Sequence, residues 1–240
     1  MEGKEIPFEE ECQRRAAKRW HAYKCIALVF VISSLFLLKH FMLMPAARKT
    51  DMTHAISNAK YVHSIMLEFE ADYGHFPDDV SATQNSTLNG FVGNYSNDYF
   101  GQLIAGGYIT TEESFYAKDK RYRKGVGDNV IAPDSKILEK HECGLSYVMV
   151  EENGKRRGLS SKDHSHIPVL VSPLANQWGS CEKISYNMRG VYIRVDGSAR
   201  SQRLRETDQK IQIGRGKTLF DTGPDTVWGD LKPVILLPER

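Results

Sequence analysis

Apolar positions are distributed along this chain in three ways, and each predicts a different element. From Cys25 to Leu38 the stretch CIALVFVISSLFLL carries no charge on any side. It resumes after Lys39 and His40 with Phe41-Met42-Leu43-Met44, and residues 25–44 together match the ~20 residues a helix needs to cross a bilayer. From Asp51 to Tyr73 the residues Met52, Ala55, Ile56, Ala59, Val62, Ile65, Met66 and Phe69 recur at steps of three and four. That is one stripe of an amphipathic helix. Thr50 or Asp51 caps its start, and Gly74 ends it with Pro77 just beyond. From about Cys143 the period shortens to two. Leu145–Val150, Ile167–Val171 and Val191–Val195 read as strands, and Asp196-Gly197 is a hairpin turn that returns Ser198–Leu204 antiparallel.

Shorter elements lie between. Residues 78–94 are polar and turn-rich, a loop. Ser96-Asn97-Asp98 supplies cap residues for a short helix over Tyr99–Ala105, ended by Gly106-Gly107. Thr110 with Glu113 has capping-box spacing and starts another short helix through Phe115 and Tyr116. Helices first and antiparallel strands after them make an α+β protein: an N-terminal membrane helix, then an amphipathic helix packed on a small antiparallel β-sheet.

The charge pattern orients the apolar segment. Arg14, Arg15, Lys18, Arg19 and Lys24 precede it, whereas Arg48 and Lys49 follow. The excess lies on the N-terminal side, which predicts a cytoplasmic N-terminus. The expected division is a cytoplasmic segment 1–24, a transmembrane anchor 25–44 and an extracytoplasmic domain 50–240, with Pro45 breaking the helix after the span. Trp20 and Tyr23 stand where an interfacial aromatic belt belongs. A cleaved signal peptide stays open beside the anchor, because Pro45-Ala46-Ala47 offers small residues for cleavage. Against it stand a 24-residue n-region and its glutamates at 2, 5, 9, 10 and 11.

Composition narrows the class. The chain has 240 residues, 41% hydrophobic and 26% charged, so most of it is globular rather than disordered. Its formal net charge of +2 lacks the basic excess of a dedicated nucleic-acid binder, so no nucleic-acid partner is expected.

Candidate chemistry is sparse. Beyond the apolar segment lie Cys143 and Cys181, on the oxidising side of the membrane in the orientation above. A disulfide between them and two separate buried thiols are both open. Neither has metal-ligand spacing. Asp163-His164-Ser165-His166 puts two imidazoles at i and i+2 in a polar loop, with no third ligand nearby. Gly214-Arg215-Gly216-Lys217-Thr218 resembles the end of a phosphate-binding loop, but Ile211 occupies the position of its first glycine. The Asp221-Thr222-Gly223-Pro224-Asp225 turn, with Trp228 beyond it, offers oxygen ligands for calcium or a turn held by its own aspartates. Asn85-Ser86-Thr87 and Asn94-Tyr95-Ser96 fit the glycosylation sequon, a pattern short enough to occur often by chance. No nucleophile elbow is present. No catalytic residue, cofactor or metal is expected.

Several segments in order resemble the bacterial pseudopilin-like proteins, the type IV pilin and type II secretion relatives. They are Asn58-Ala59-Lys60-Tyr61-Val62 with the run from Phe69 to Asp78, the block from Asn97 to Tyr108, Arg194-Val195-Asp196-Gly197-Ser198, and Leu219-Phe220-Asp221 with Val227-Trp228-Gly229. The resemblance implies a pilin-like fold, with an N-terminal helix membrane-embedded at its start and packed on a small antiparallel sheet. It also implies a structural subunit rather than an enzyme. The chain departs from that family where its apolar helix begins. Pilins open it with Gly-Phe-Thr-Leu-x-Glu, and here Lys24-Cys25-Ile26-Ala27-Leu28-Val29 stands in its place. The family's peptidase should not cleave such a site, and the glutamate that registers one subunit on the next is missing. Pro45, Arg48 and Lys49 interrupt the long apolar helix of a filament core.

The resulting expectation is a single-pass protein of the cytoplasmic membrane. It is non-enzymatic and acts through contacts with the lipid bilayer and with envelope or secretion-system proteins, oligomerisation included. The alternative is an extracytoplasmic binding module for a glycan or calcium, built on the exposed aromatic and acidic turns at 95–99 and 221–228. An envelope hydrolase using His164 or His166 is the weakest of the three.

Overall fold

The computed structural model describes residues 8–39, 44–118, 138–214 and 216–239. It divides into two compact units, 1–47 and 48–240. The first contains helix α1, Phe8–Leu38. Within it the 20 residues Arg19–Leu38 are long and apolar enough to cross a membrane. The expected span was 25–44. It shares 25–38 with this stretch, and residues 40–43 lie outside the described ones. The helix extends N-terminally through Arg19–Lys24 to Phe8, with neither Gly nor Pro between to break it. There Lys24 Nζ sits 5.2 Å from the Trp20 ring centroid, a cation–π contact.

The second unit is α+β, as expected. Helix α2 runs Met44–Tyr73. Pro45 is the second residue of this helix, and the chain just before it, where a break was expected, lies outside the described residues. Ala55, Ala59, Val62, Met66 and Phe69 form its buried stripe, at most 4% exposed. Gly74 N–H closes the helix on the Glu70 carbonyl at 2.7 Å. Then follow α3 (Ser81–Gln84), α4 (Ser96–Ala105) and a 3₁₀ turn, Glu113–Phe115.

Two cap expectations are corrected. Ser96 and Asn97 do not cap α4 from outside. They lie inside its first turn and are buried, with Ser96 Oγ donating to the Leu145 carbonyl at 2.8 Å and Asn97 Nδ2 to the Glu139 carbonyl at 2.9 Å. The cap comes from Asp98, whose carboxylate accepts the Tyr95 N–H at 2.9 Å. The Thr110/Glu113 box is also displaced: Thr111 Oγ1 accepts the Glu113 N–H at 3.3 Å, and only a 3₁₀ turn forms.

The strands are β1 (Ser146–Glu152), β2 (Lys155–Arg157), β3 (Pro168–Ser172), β4 (Arg189–Arg194), β5 (Ala199–Arg203), β6 (Gln212–Gly214), β7 (Lys217–Thr218) and β8 (Pro233–Leu236). All pairings in the six-stranded sheet are antiparallel, in the order β2-β1-β3-β4-β5, with β8 also on β1. Tyr147 faces both Leu170 and Leu236, and Val150 both Arg157 and Pro233, so β1 is bonded along both edges. The Asp196-Gly197 turn joins β4 to β5 as expected. The segment that mimics a phosphate loop is the β6–β7 hairpin, without the strand-to-helix context such a loop needs.

Consecutive residues of β1, β3 and β4 are buried, so the middle of the sheet is covered on both faces. Ile56 and Ala59 of α2 close over Leu170, Val191 and Ile193 with no room for a water molecule. The direction of α2 over the sheet follows from its edge contacts. Ser201 Oγ donates to Met52 Sδ at 3.3 Å, and His63 Nε2 lies 3.1 Å from the Val195 carbonyl. The start of α2 is therefore at the open end of the β4–β5 hairpin, and its later turns pass the hairpin loop. Phe69 is fully buried and stacks on Tyr73, with ring centroids 4.4 Å apart. Phe69→Ala should cost about 3–5 kcal/mol, read as a lower denaturation midpoint at unchanged slope.

Candidate functional site

The segment that follows α2 builds an open polar concavity. Asp78 is fully buried. Its Oδ1 accepts the Val80 and Ser81 N–H groups at 2.9 and 2.8 Å, and its Oδ2 accepts Gly158 N–H at 3.2 Å. Its carbonyl accepts Gln102 Nε2 at 2.9 Å. One residue thus fastens the loop to the strand β2 exit and to α4. Gly158 has to be glycine for this, because a Cβ there would stand 2.1 Å from the Phe76 carbonyl oxygen.

Next to this knot, Asp79, Tyr99 and Arg156 line an open cleft of about 410 Å³ with Asn94, Thr83 and Val92 at its walls. Tyr99 OH donates to Asp79 Oδ1 at 2.5 Å, and Arg156 N–H donates to Asp79 Oδ2 at 3.2 Å. The Arg156 guanidinium donates to the Gly93 carbonyl, to Tyr99 OH at 3.3 Å and to Asn94 Oδ1 at 3.0 Å. Burial first, and then the Asp79 hydrogen bond, push the Tyr99 hydroxyl well above the ordinary tyrosine pKa. It stays protonated and is no base at neutral pH. The polar groups of this cleft are largely spent on one another, and what it presents is a hydrogen-bonding concavity with a Val92 lip.

Of the cleft residues, the expected 95–99 segment supplies Tyr99. Asp79 and Arg156 were not foreseen. The Asn153-Gly154 dipeptide between β1 and β2 is a two-residue hairpin turn, a signal that would have set Arg156 opposite Glu151 but not beside Asp79.

The other candidates fall elsewhere. Cys143 and Cys181 are both buried thiols, with no bond joining them. Cys143 Sγ donates to the Leu145 carbonyl at 3.3 Å, beside Ser96. Cys181 pairs across a bridge with Leu174 and lies under Gly190. Burial pushes the Cys143 thiol up to about 12, which makes it inert as a nucleophile at neutral pH. His164 and His166 are exposed in a loop, edge to face at 5.2 Å. The Asp221 carboxylate accepts Thr218 N–H at 2.7 Å and Thr218 Oγ1–H at 2.8 Å. Partial burial raises its pKa, but those hydrogen bonds outweigh it and leave the group below the usual carboxylate value. Trp228 Nε1 donates to the Leu219 carbonyl at 2.7 Å, and the ring is buried. The acidic turn is held by its own side chains. Among the described residues no group of three or more His, Cys, Asp or Glu is placed to hold a metal.

No protein-family model, no curated protein and no solved structure matches this chain.

One buried titratable group faces the β4–β5 turn. His63 is 4% exposed, and burial lowers its pKa against the opposing pull of the Val195 carbonyl, Asp196 and Glu70. The folded state therefore holds His63 neutral below the ordinary value of about 6.5. As pH falls through that value the unfolded chain takes up a proton that the folded chain does not, and stability drops. The melting temperature should fall more between pH 7.5 and 5.5 in the parent protein than in His63→Gln, measured by circular dichroism.

Proposed function

We propose that this is a membrane-anchored, pilin-like envelope protein that acts through protein contacts rather than catalysis. The observation that carries the reading is the order of its parts. A helix able to span a bilayer is followed within a few residues by a long helix whose apolar stripe lies on an antiparallel sheet. Three of the four segments that resemble pseudopilins fall on α2 and the Asp78 loop, on α4, and on the β4–β5 turn; the fourth lies in the 219–229 turn between β7 and β8. The inert Cys143 thiol and the protonated Tyr99 agree with a binding rather than a chemical role. With no Gly-to-Glu signature at the head of the apolar run, the chain stands in the membrane unprocessed, N-terminus in the cytoplasm and the second unit outside. Its partners are envelope or secretion-system proteins.

The 410 Å³ cleft favours a second reading, an extracytoplasmic module that binds a glycan through Asn94 and Arg156. A thermal shift against a glycan panel that is abolished by Arg156→Ala supports it, and no shift at millimolar ligand removes it.

The intact mass of the protein from native membranes tests the first reading. A full 27.2 kDa chain that resists alkaline extraction and cross-links to membrane proteins is expected. Recovery only as a free soluble monomer sinks the reading. Loss of the first 24 or so residues would instead point to prepilin-type processing and a filament.

A further inference from the structure

The end of the second unit at which α2 begins is chemically unlike the rest of it. Arg48 Nη1 donates to Asn187 Oδ1 at 3.2 Å, and Arg189 faces Arg203 at the open end of the β4–β5 hairpin. The Leu204 N–H donates to the Met188 carbonyl at 2.8 Å, and the Cys181 N–H to the Gln209 carbonyl at 2.9 Å, so the loops 173–188 and 204–211 gather at the same end. Of the nine Lys and Arg in residues 183–217, Arg194 and Arg200 flank the Asp196-Gly197 turn at the other end of the hairpin and Arg215 lies outside the described residues; Lys183, Arg189, Arg203, Arg205, Lys210 and Lys217 belong to this end, with Glu206 and Asp208, in a chain whose total is only +2. Two of those cations are neutralised locally, in the pairs Arg203–Glu206 and Arg205–Asp208. Arg48 and Arg189 are held by uncharged partners instead, the Asn187 amide and the Ser201 hydroxyl and carbonyl. Lys49 and Lys183 are exposed. Against them stand Glu182 and Asp221, and Asp221 is engaged by Thr218. The end is left with a basic surplus.

The same end displays Trp178, 77% exposed. Its loop is built, not collapsed. Asn176 Oδ1 accepts the N–H groups of Trp178 at 3.0 Å and Ser180 at 3.2 Å, and Ala175 N–H donates to the Ser180 carbonyl at 2.7 Å. Gly179 has φ +81, and a Cβ there would meet the Phe220 ring at 2.4 Å, so the loop lies tight on the body while the indole points away. An indole beside a field of positive charge is the composition of a bilayer interface, where tryptophan settles at headgroup level and Lys and Arg meet anionic phosphate. Chain length brings this end to a membrane: Arg48 is the tenth residue after Leu38, a tether of at most about 35 Å.

We propose that this end of the domain docks on anionic phospholipid headgroups, with Arg48, Lys49, Lys183 and Arg189 facing phosphate and Trp178 inserted at the interface. The proposal rests on the membrane-anchored reading and adds to it the surface on which the domain lies.

Hydrogen–deuterium exchange on the full chain tests it, in nanodiscs of phosphatidylcholine alone and of phosphatidylcholine mixed with phosphatidylglycerol. Amides in 174–181 and 203–210 should exchange more slowly in the anionic discs, and high salt should erase the difference. Arg189→Gln and Lys183→Gln should each lower the docked-to-undocked ratio roughly fivefold. Trp178→Ala should remove the protection of its own loop. Each variant's unfolding curve, matched to the parent, shows that the fold is kept. Equal exchange at these amides in both lipids overturns the proposal, and so does protection that follows an added acidic protein instead of lipid charge. Alkaline extraction reads the anchor separately. If the chain is released, the anchored reading fails, and docking is then upheld by sedimentation with phosphatidylglycerol vesicles and overturned by its absence.

Discussion

The seat of α2 on the sheet is the constraint from which the rest of this domain follows. Ala55 and Ala59 are small enough to let the helix backbone come close, Ile56 and Ala59 lie over Leu170 and Ile193, and Val62, Met66 and Phe69 continue the buried stripe along the same core. Burial of that stripe is a large apolar contribution to the stability of the domain. It also gives the domain two ends. One collects the start of α2, the open end of the β4–β5 hairpin and the Trp178 loop. The other collects the end of α2, the Asp78 loop and the cleft. Because the helix can lie on the sheet with only one stripe inward, the chemistry of each end is decided by which loops the topology delivers there.

At the far end a buried carboxylate performs the joining. A fully buried Asp is costly unless its lone pairs are satisfied. Asp78 meets that cost with backbone N–H groups from its own loop and from Gly158, and Tyr147 adds a hydroxyl donated to the Pro77 carbonyl at 2.9 Å. Glu70, in the last turn of α2, repeats the device, taking Ser161 N–H and Oγ–H, both at 2.8 Å. These two acids explain how a loop with little apolar content, 158–167, is held against the helix.

The helical stripe and the three principal strands were legible because each is a local repeat. The strands β2 and β8 were not, for different reasons. Lys155–Arg157 is polar, and it is fixed by its pairing with β1 and by side-chain partners distant in sequence, Asp79 and Asn94 among them. Pro233–Leu236 is four residues long, and its partner lies more than eighty residues upstream. Ser96 and Asn97 looked like caps because their residue types favour that position. Tertiary acceptors at Leu145 and Glu139 claimed their side chains instead, and the helix began one turn earlier. Cys143 and Cys181 shared a region of sequence but not a neighbourhood, since Cys143 packs by α4 and Cys181 under β4. Of the cleft, Tyr99 alone stood out. Asp79 and Arg156 acquire meaning only through the turn that folds β2 back on β1.

The sequence by itself determined the apolar segment and its charge flanks, the amphipathic helix, the strand order of the central hairpin and the absence of a strong catalytic motif. Each depends on residues a few positions apart, where periodicity and hydropathy are complete information. Tertiary structure alone decided which side chains meet: Asp79 with Tyr99 and Arg156, Arg48 with Asn187, and Trp178 left outside while Trp228 went in. Such choices depend on contacts between distant segments. The free energy of those contacts is a small difference between burial and satisfied hydrogen bonds, and no local pattern encodes it.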